Sequence, residues 1–92
     1  MPSLSKEKIA SLLISVPAWQ IESGELSRTF SFSDFKAALD FVNKTGELAE
    51  QAGHHPDIDI RYNRVRLALT THDAGGLTIK DFDLAATIDK IK

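Results

Sequence analysis

Asp57-Ile58-Asp59-Ile60-Arg61-Tyr62-Asn63-Arg64-Val65-Arg66-Leu67-Ala68-Leu69-Thr70 sets polar against apolar in strict alternation on either side of one break. Ile58, Ile60 and Tyr62 alternate with Asp57, Asp59 and Arg61, and Val65, Leu67 and Leu69 alternate with Arg66, Ala68 and Thr70. Successive side chains on a strand point to opposite faces, so a period of two describes a sheet with one buried face and one wet face. Asn63-Arg64 is the expected turn, and it closes a hairpin that sets Tyr62 near Val65. Working outward, Trp19 and Ile21 alternate with Gln20 and Glu22, Ser23-Gly24 signals a turn, and Leu26, Arg28, Phe30 and Phe32 alternate with Ser27, Thr29 and Ser31. That is a first hairpin around a glycine-containing turn.

Helical spacing fills the rest. Ser5 is an expected N-cap for a helix carrying Ile9, Leu12 and Leu13, which stops before Pro17. Ser31 or Ser33 is expected to cap a long helix over 34–52. One stripe on it is Phe35, Leu39, Val42, Gly46 and Ala49; Phe41, Leu48 and Ala52 form a second, displaced around the axis. A helix that only covers a sheet needs one stripe, so the second is either a contact with another subunit or the margin of one wide core face. Gly53 stands where a helix-terminating glycine stands. Thr78-Ile79-Lys80-Asp81 has capping-box spacing and opens a last helix with Phe82, Ala85, Ile88 and Ile91 turned inward. The order α-β-β-α-β-β-α predicts an α+β fold: two hairpins in one four-stranded antiparallel sheet, with three helices on one face.

Ninety-two residues, 1–92, read as a single domain with a modest core that assembly would enlarge. The apolar fraction is 42% and the charged fraction 26%, as in folded globular chains. Net charge is −2 with no Lys/Arg cluster, so nucleic acid is not an expected partner. The longest apolar run, residues 9–14, is too short for a bilayer, and Pro17-Ala18-Trp19 is no cleavage site; a cytoplasmic location and no membrane association are expected. No cysteine is present, which removes disulfides and thiolate chemistry.

Chemistry is therefore left to imidazoles and carboxylates. The three histidines are His54, His55 and His72. Hairpin geometry lays the start of the third strand beside the end of the fourth, so His54-His55 and His72 are expected to meet at one end of the sheet. A free imidazole titrates near about 6.5 and transfers protons at neutral pH. Glu50 lies one turn before His54, where its charge and the helix C-terminus both favour imidazolium. Plainer readings fit the same residues. His54-His55-Pro56 also suits an exposed turn, His72 a loop cap, Glu50 a solvated helix end, Asp81 a helix cap, and Asp73 a backbone hydrogen bond in the Gly75-Gly76 loop. Zinc held by the histidines with Asp57 or Asp59 is disfavoured, because adjacent histidines in extended chain point apart and no H-x-x-x-H pair exists. No metal is expected. Phosphate-loop and G-x-S-x-G patterns are absent.

Phe32-x-Asp34-Phe35, Phe41, Glu50-x-x-x-His54-His55-Pro56-Asp57, Tyr62-Asn63-x-Val65, Thr71-His72-Asp73, Gly76-Leu77-Thr78, Asp81 and Leu84-Ala85 together resemble the pterin-4a-carbinolamine dehydratases. The resemblance covers nearly the whole chain and is weakest over the first two dozen residues. It implies the same α+β fold and the dehydration of 4a-hydroxytetrahydropterin to quinonoid dihydropterin, with no cofactor beyond the pterin substrate. It implies His54, His55 and His72 as catalytic residues, with Glu50 and Asp81 as supporting carboxylates and Pro56, Thr71 and Asp73 among the supporting or substrate-binding positions. It also implies a homo-oligomer formed through a sheet edge and the long helix, which accounts for the stripe of Phe41 and Leu48. Ile58 departs from the family, which often has tryptophan there. The alternative function is a non-catalytic interaction or dimerisation module that keeps the fold.

Overall fold

The computed structural model describes residues 2–92. Helix α1 spans Lys6–Leu13, strands β1 and β2 span Gln20–Glu22 and Glu25–Ser31, and helix α2 spans Phe35–Ala52. Strands β3 and β4 span Asp57–Arg61 and Arg64–Leu69, a single 3-10 turn covers His72–Ala74, and helix α3 spans Ile79–Asp89. The four strands form one antiparallel sheet in the order β1-β2-β4-β3. This is the α+β fold that the alternating pattern predicts.

Ser23 and Gly24 take φ of 51° and 77°, the positive values that let a two-residue turn follow the twist of β1 and β2. On the helix-covered face, Leu26 and Phe30 of β2 and Val65, Leu67 and Leu69 of β4 are buried. They meet Ala38, Phe41 and Ala49 of α2 and Phe82, Leu84, Ala85 and Ile88 of α3. Helix α1 buries no residue fully, and Ile9, Leu12 and Leu13 lie half-buried against this core. The other face is polar. There Arg66 donates to Glu22 at 3.0 Å, joining the outer strand β1 to β4 across β2.

Three expectations are corrected. Asp34, not Ser31 or Ser33, caps α2: its backbone is extended and its carboxylate accepts the Ala37 N–H at 2.8 Å. The second turn is Tyr62-Asn63, not Asn63-Arg64, because Arg61 pairs with Arg64 and Ile60 with Val65. The offset between the two registers is even, so the isoleucines keep their face, while Tyr62 leaves the strand, adopts φ 51° and is exposed. The third concerns the stripes of α2: Ala49 of the first and Phe41 of the second both face the core, and only the start of the first stripe lies outside it. Ala38, Phe41, Thr45 and Ala49 face the sheet, whereas Phe35 and Leu39 are 46% and 37% exposed. Phe41 belongs to the core, with its ring centroid 4.5 Å from that of Phe30 and 5.0 Å from that of Phe32. Small residues at 38 and 49 let the helix sit close to the sheet, and the rings of Phe30 and Phe32 pack against Phe41.

Candidate active site

Gly53 ends α2 in the left-handed region, φ 63°, and its N–H bonds back to the last turn. That reversal sends His54-His55-Pro56 across the end of the sheet into β3. Asp57 pairs with Ala68, so the first residue of β3 lies beside the end of β4. Beyond β4, Thr71 bridges Gly76 in both directions, at 3.2 and 3.4 Å, and closes a compact loop that carries His72 and Asp73. Gly75, at φ 72°, makes the return possible.

The three histidines therefore border one hollow of about 270 Å³, lined by Gly53, His54, His55, Thr70, Thr71, His72, Asp73 and Lys80. Their surroundings differ. His54 has a side chain only 12% exposed, and its Nε2 lies 2.6 Å from Oδ1 of Asp81, which is fully buried. The other oxygen of Asp81 accepts the Thr71 hydroxyl at 2.8 Å and the Thr78 N–H at 2.9 Å. A carboxylate in that position is an acceptor, so the ring proton of His54 is assigned to Nε2, which leaves Nδ1 as its second nitrogen. Thr78 completes the group through a 2.8 Å hydroxyl contact with Thr71.

Asp81 thus fills two places that the sequence sets against each other. It is the N3 carboxylate of a helix cap and also the partner of a histidine. Glu50 is placed differently from the expectation. Its carboxylate bonds Nε2 of His55, not His54, and both partners are exposed. Adjacent residues in extended chain turn opposite ways, so His54 goes inward to α3 and His55 outward to α2. Asp73 is exposed and lines the hollow; among the described residues its carboxylate takes no hydrogen bond to the Gly75-Gly76 loop. Pro56 does not line the hollow, and Ile58 lies on β3 outside it.

Sequence reasoning missed Thr70, Thr78 and Lys80. Thr78 was visible as a cap but not as a member of the network around Asp81. Lys80 carried a signal that went unused: it lies one residue from Asp81 on the first turn of α3.

The family model described as "Pterin 4 alpha carbinolamine dehydratase" matches residues 2–91. A protein of Acidobacterium capsulatum named "Putative pterin-4-alpha-carbinolamine dehydratase" is 62% identical over 91 residues, covering 99% of both chains. One of the same name from Chloroflexus aurantiacus is 64% identical, covering 99% of this chain and 98% of its own. The crystal structure of a transcriptional coactivator/pterin dehydratase from Brucella melitensis superposes with a TM-score of 0.92 at 31% identity, covering 97% of each chain. A pterin dehydratase-like RuBisCO assembly factor of the alpha-carboxysome shares the fold, with a TM-score of 0.65, 23% identity and coverage of 79% of this chain and 84% of its own. Since the profile runs through every motif around the hollow and the fold is common to both solved structures, the chain belongs to the pterin-4α-carbinolamine dehydratase family.

Proposed function

We propose that this protein dehydrates a 4a-hydroxytetrahydropterin to the quinonoid dihydropterin and water. The observation that carries this reading is the meeting of His54, His55 and His72 around one hollow, with a carboxylate behind two of them. The reaction breaks the C4a–O bond, removes the N5 proton and forms the C4a=N5 double bond. It needs one proton delivered to the departing oxygen and one taken from N5, steps worth about 10²–10⁴-fold each when a side chain is positioned for them.

His54 suits the base. A proton arriving at Nδ1 turns a neutral ring beside buried Asp81 into an ion pair, and the partner that stabilises it is already in place. His72 suits the acid: it is exposed, so it regains its proton from solvent between turnovers. His55, held by Glu50, shares or adjusts the acid role. The pterin ring brings its own donors and acceptors, and the backbone around 52–58 and 71–76 offers partners for its edge. Assembly into a homo-oligomer is part of the same reading, through the exposed Phe35 and Leu39 of α2 and the β3 edge, where Ile58 and Ile60 are also exposed.

The test is the decay of carbinolamine absorbance with and without protein. Acceleration by the unmodified chain is expected, with at least tenfold loss in His54→Ala and in His72→Ala. Undiminished acceleration by the double variant would reject the reading.

A further inference from the structure

A second hollow of about 340 Å³ runs between α2 and α3 and abuts the histidine hollow, since His54 and Lys80 line both. Leu48, Gln51 and Ala52 come from α2, at spacings of three and four residues; Lys80, Asp83, Leu84 and Thr87 come from α3 with the same periodicity. Each set is one helix face, so the hollow is the groove between two packed helices, with His54 at its border with the histidine hollow. Leu48, Ala52 and Leu84 supply apolar surface, while Gln51, Lys80, Asp83 and Thr87 supply polar groups. Among the described residues Lys80 forms no ion pair, and it lines both hollows.

The connectivity of the substrate gives the groove a use. In a tetrahydropterin C4a is bonded to N5, and N5 to C6. Whatever substituent C6 carries must leave the ring beside the residue that serves N5. With His54 as that residue, the substituent departs at the wall shared by the two hollows. Resting on the dehydratase reading above, we infer that the α2–α3 groove is the subsite for an extended C6 substituent with both apolar and polar parts, and that Lys80 guides it past His54. The groove thereby selects substrates with an extended C6 group over those with a short one.

The test compares two 4a-carbinolamines, one bearing a methyl group at C6 and one an arylaminomethyl group. Thr87 lies seven residues beyond Lys80, roughly 10 Å along the helix axis. Thr87→Trp therefore fills the far end of the groove well away from the pterin ring. The expected result is at least a tenfold fall in the ratio of kcat/KM for the aryl substrate to that for the methyl one, carried by KM. Gln51→Trp fills the groove from the opposite helix and gives the same result if Thr87→Trp does not fold, with thermal melting as the check. A ratio within twofold of the unmodified protein's in the folded variant overturns the inference, while turnover of the methyl carbinolamine leaves the dehydratase reading standing. If the unmodified protein accelerates neither carbinolamine, the dehydratase reading fails, and the groove's assignment with it.

Discussion

His54 meets Oδ1 of Asp81 through Nε2 at 2.6 Å, and this single bond ties the segment leaving α2 to the first turn of α3. The carboxylate is fully buried, yet three donors reach it: His54, the Thr71 hydroxyl and the Thr78 N–H. Such a group fixes the ring's tautomer and orientation while capping a helix, so stability and the proposed chemistry depend on one side chain.

Asp81→Asn separates the two roles only in part. With the amide nitrogen facing Nε2, His54 is forced into the opposite tautomer and one amide N–H is left unpaired; with the amide flipped, the nitrogen faces the Thr78 N–H, which loses its acceptor. A fall in kcat of about 10²-fold or more is expected from loss of the oriented base. A loss of about 1–3 kcal/mol in stability is expected from the unsatisfied buried groups. Turnover and urea unfolding measure the two effects on the same sample. Full activity in a folded Asp81→Asn protein would remove Asp81 from the site.

His54→Ala and His55→Ala should differ in kind. Removing His54 leaves Asp81 buried with a donor missing, a cost of about 1–3 kcal/mol. Removing His55 disturbs only an exposed pair with Glu50, and exposed pairs contribute about 0–1 kcal/mol. Denaturation midpoints of the two variants check the contrast; equal destabilisation would contradict it.

Phe41 and Phe35 test which face of α2 is free. Phe41 is 5% exposed, and Phe41→Ala should cost about 3–5 kcal/mol through the cavity it leaves. Phe35→Asp and Leu39→Asp should keep the fold and lower the assembled mass in size-exclusion chromatography with light scattering. A protein that runs as a monomer before any substitution defeats the assembly reading.

Thr45 is fully buried on the inner face of α2, and among the described residues its hydroxyl has no hydrogen-bond partner. Valine has nearly the same shape without the polar atom. Thr45→Val is therefore expected to raise stability by about 1–2 kcal/mol, read as a shift in the urea midpoint at unchanged slope. A drop in stability would mean that the hydroxyl is satisfied in solution.

Glu22 supplies a pH dependence away from the site. The Ser27 hydroxyl, then the Arg66 guanidinium, hold its carboxyl below the ordinary carboxylate range. A folded-state pKa lower than the unfolded one contributes stability that is present above the unfolded pKa and lost as pH falls through the folded one. Glu22→Gln should therefore flatten the acid side of the stability profile and leave neutral-pH turnover alone. An unchanged acid limb would argue against the bridge from β1 to β4.

Local pattern was enough to order the elements. Alternation marks the face of each strand, Ser23-Gly24 marks the first turn, and Gly53 marks the end of α2, because each depends on neighbours in sequence. The motifs around His54-His55, His72 and Asp81 were likewise legible, and with them the family. The inner face of α2 was legible only in part, at Phe41 and Ala49. Periodicity weighs large apolar residues, and here Ala38, Thr45 and Ala49 set the approach to the sheet while Phe35 and Leu39 were left outside.

The amino-acid order alone therefore determined the element sequence, the two-faced sheet and the identity of the groups able to move protons. Only the folded chain decided that Asp81 belongs to His54 and Glu50 to His55, that the second turn falls at Tyr62-Asn63, and that a groove between α2 and α3 opens beside His54. The physical reason is distance along the chain. Alternation, capping and glycine turns are settled within a few residues, whereas a carboxylate 27 positions away finds its histidine only when helix and sheet pack together.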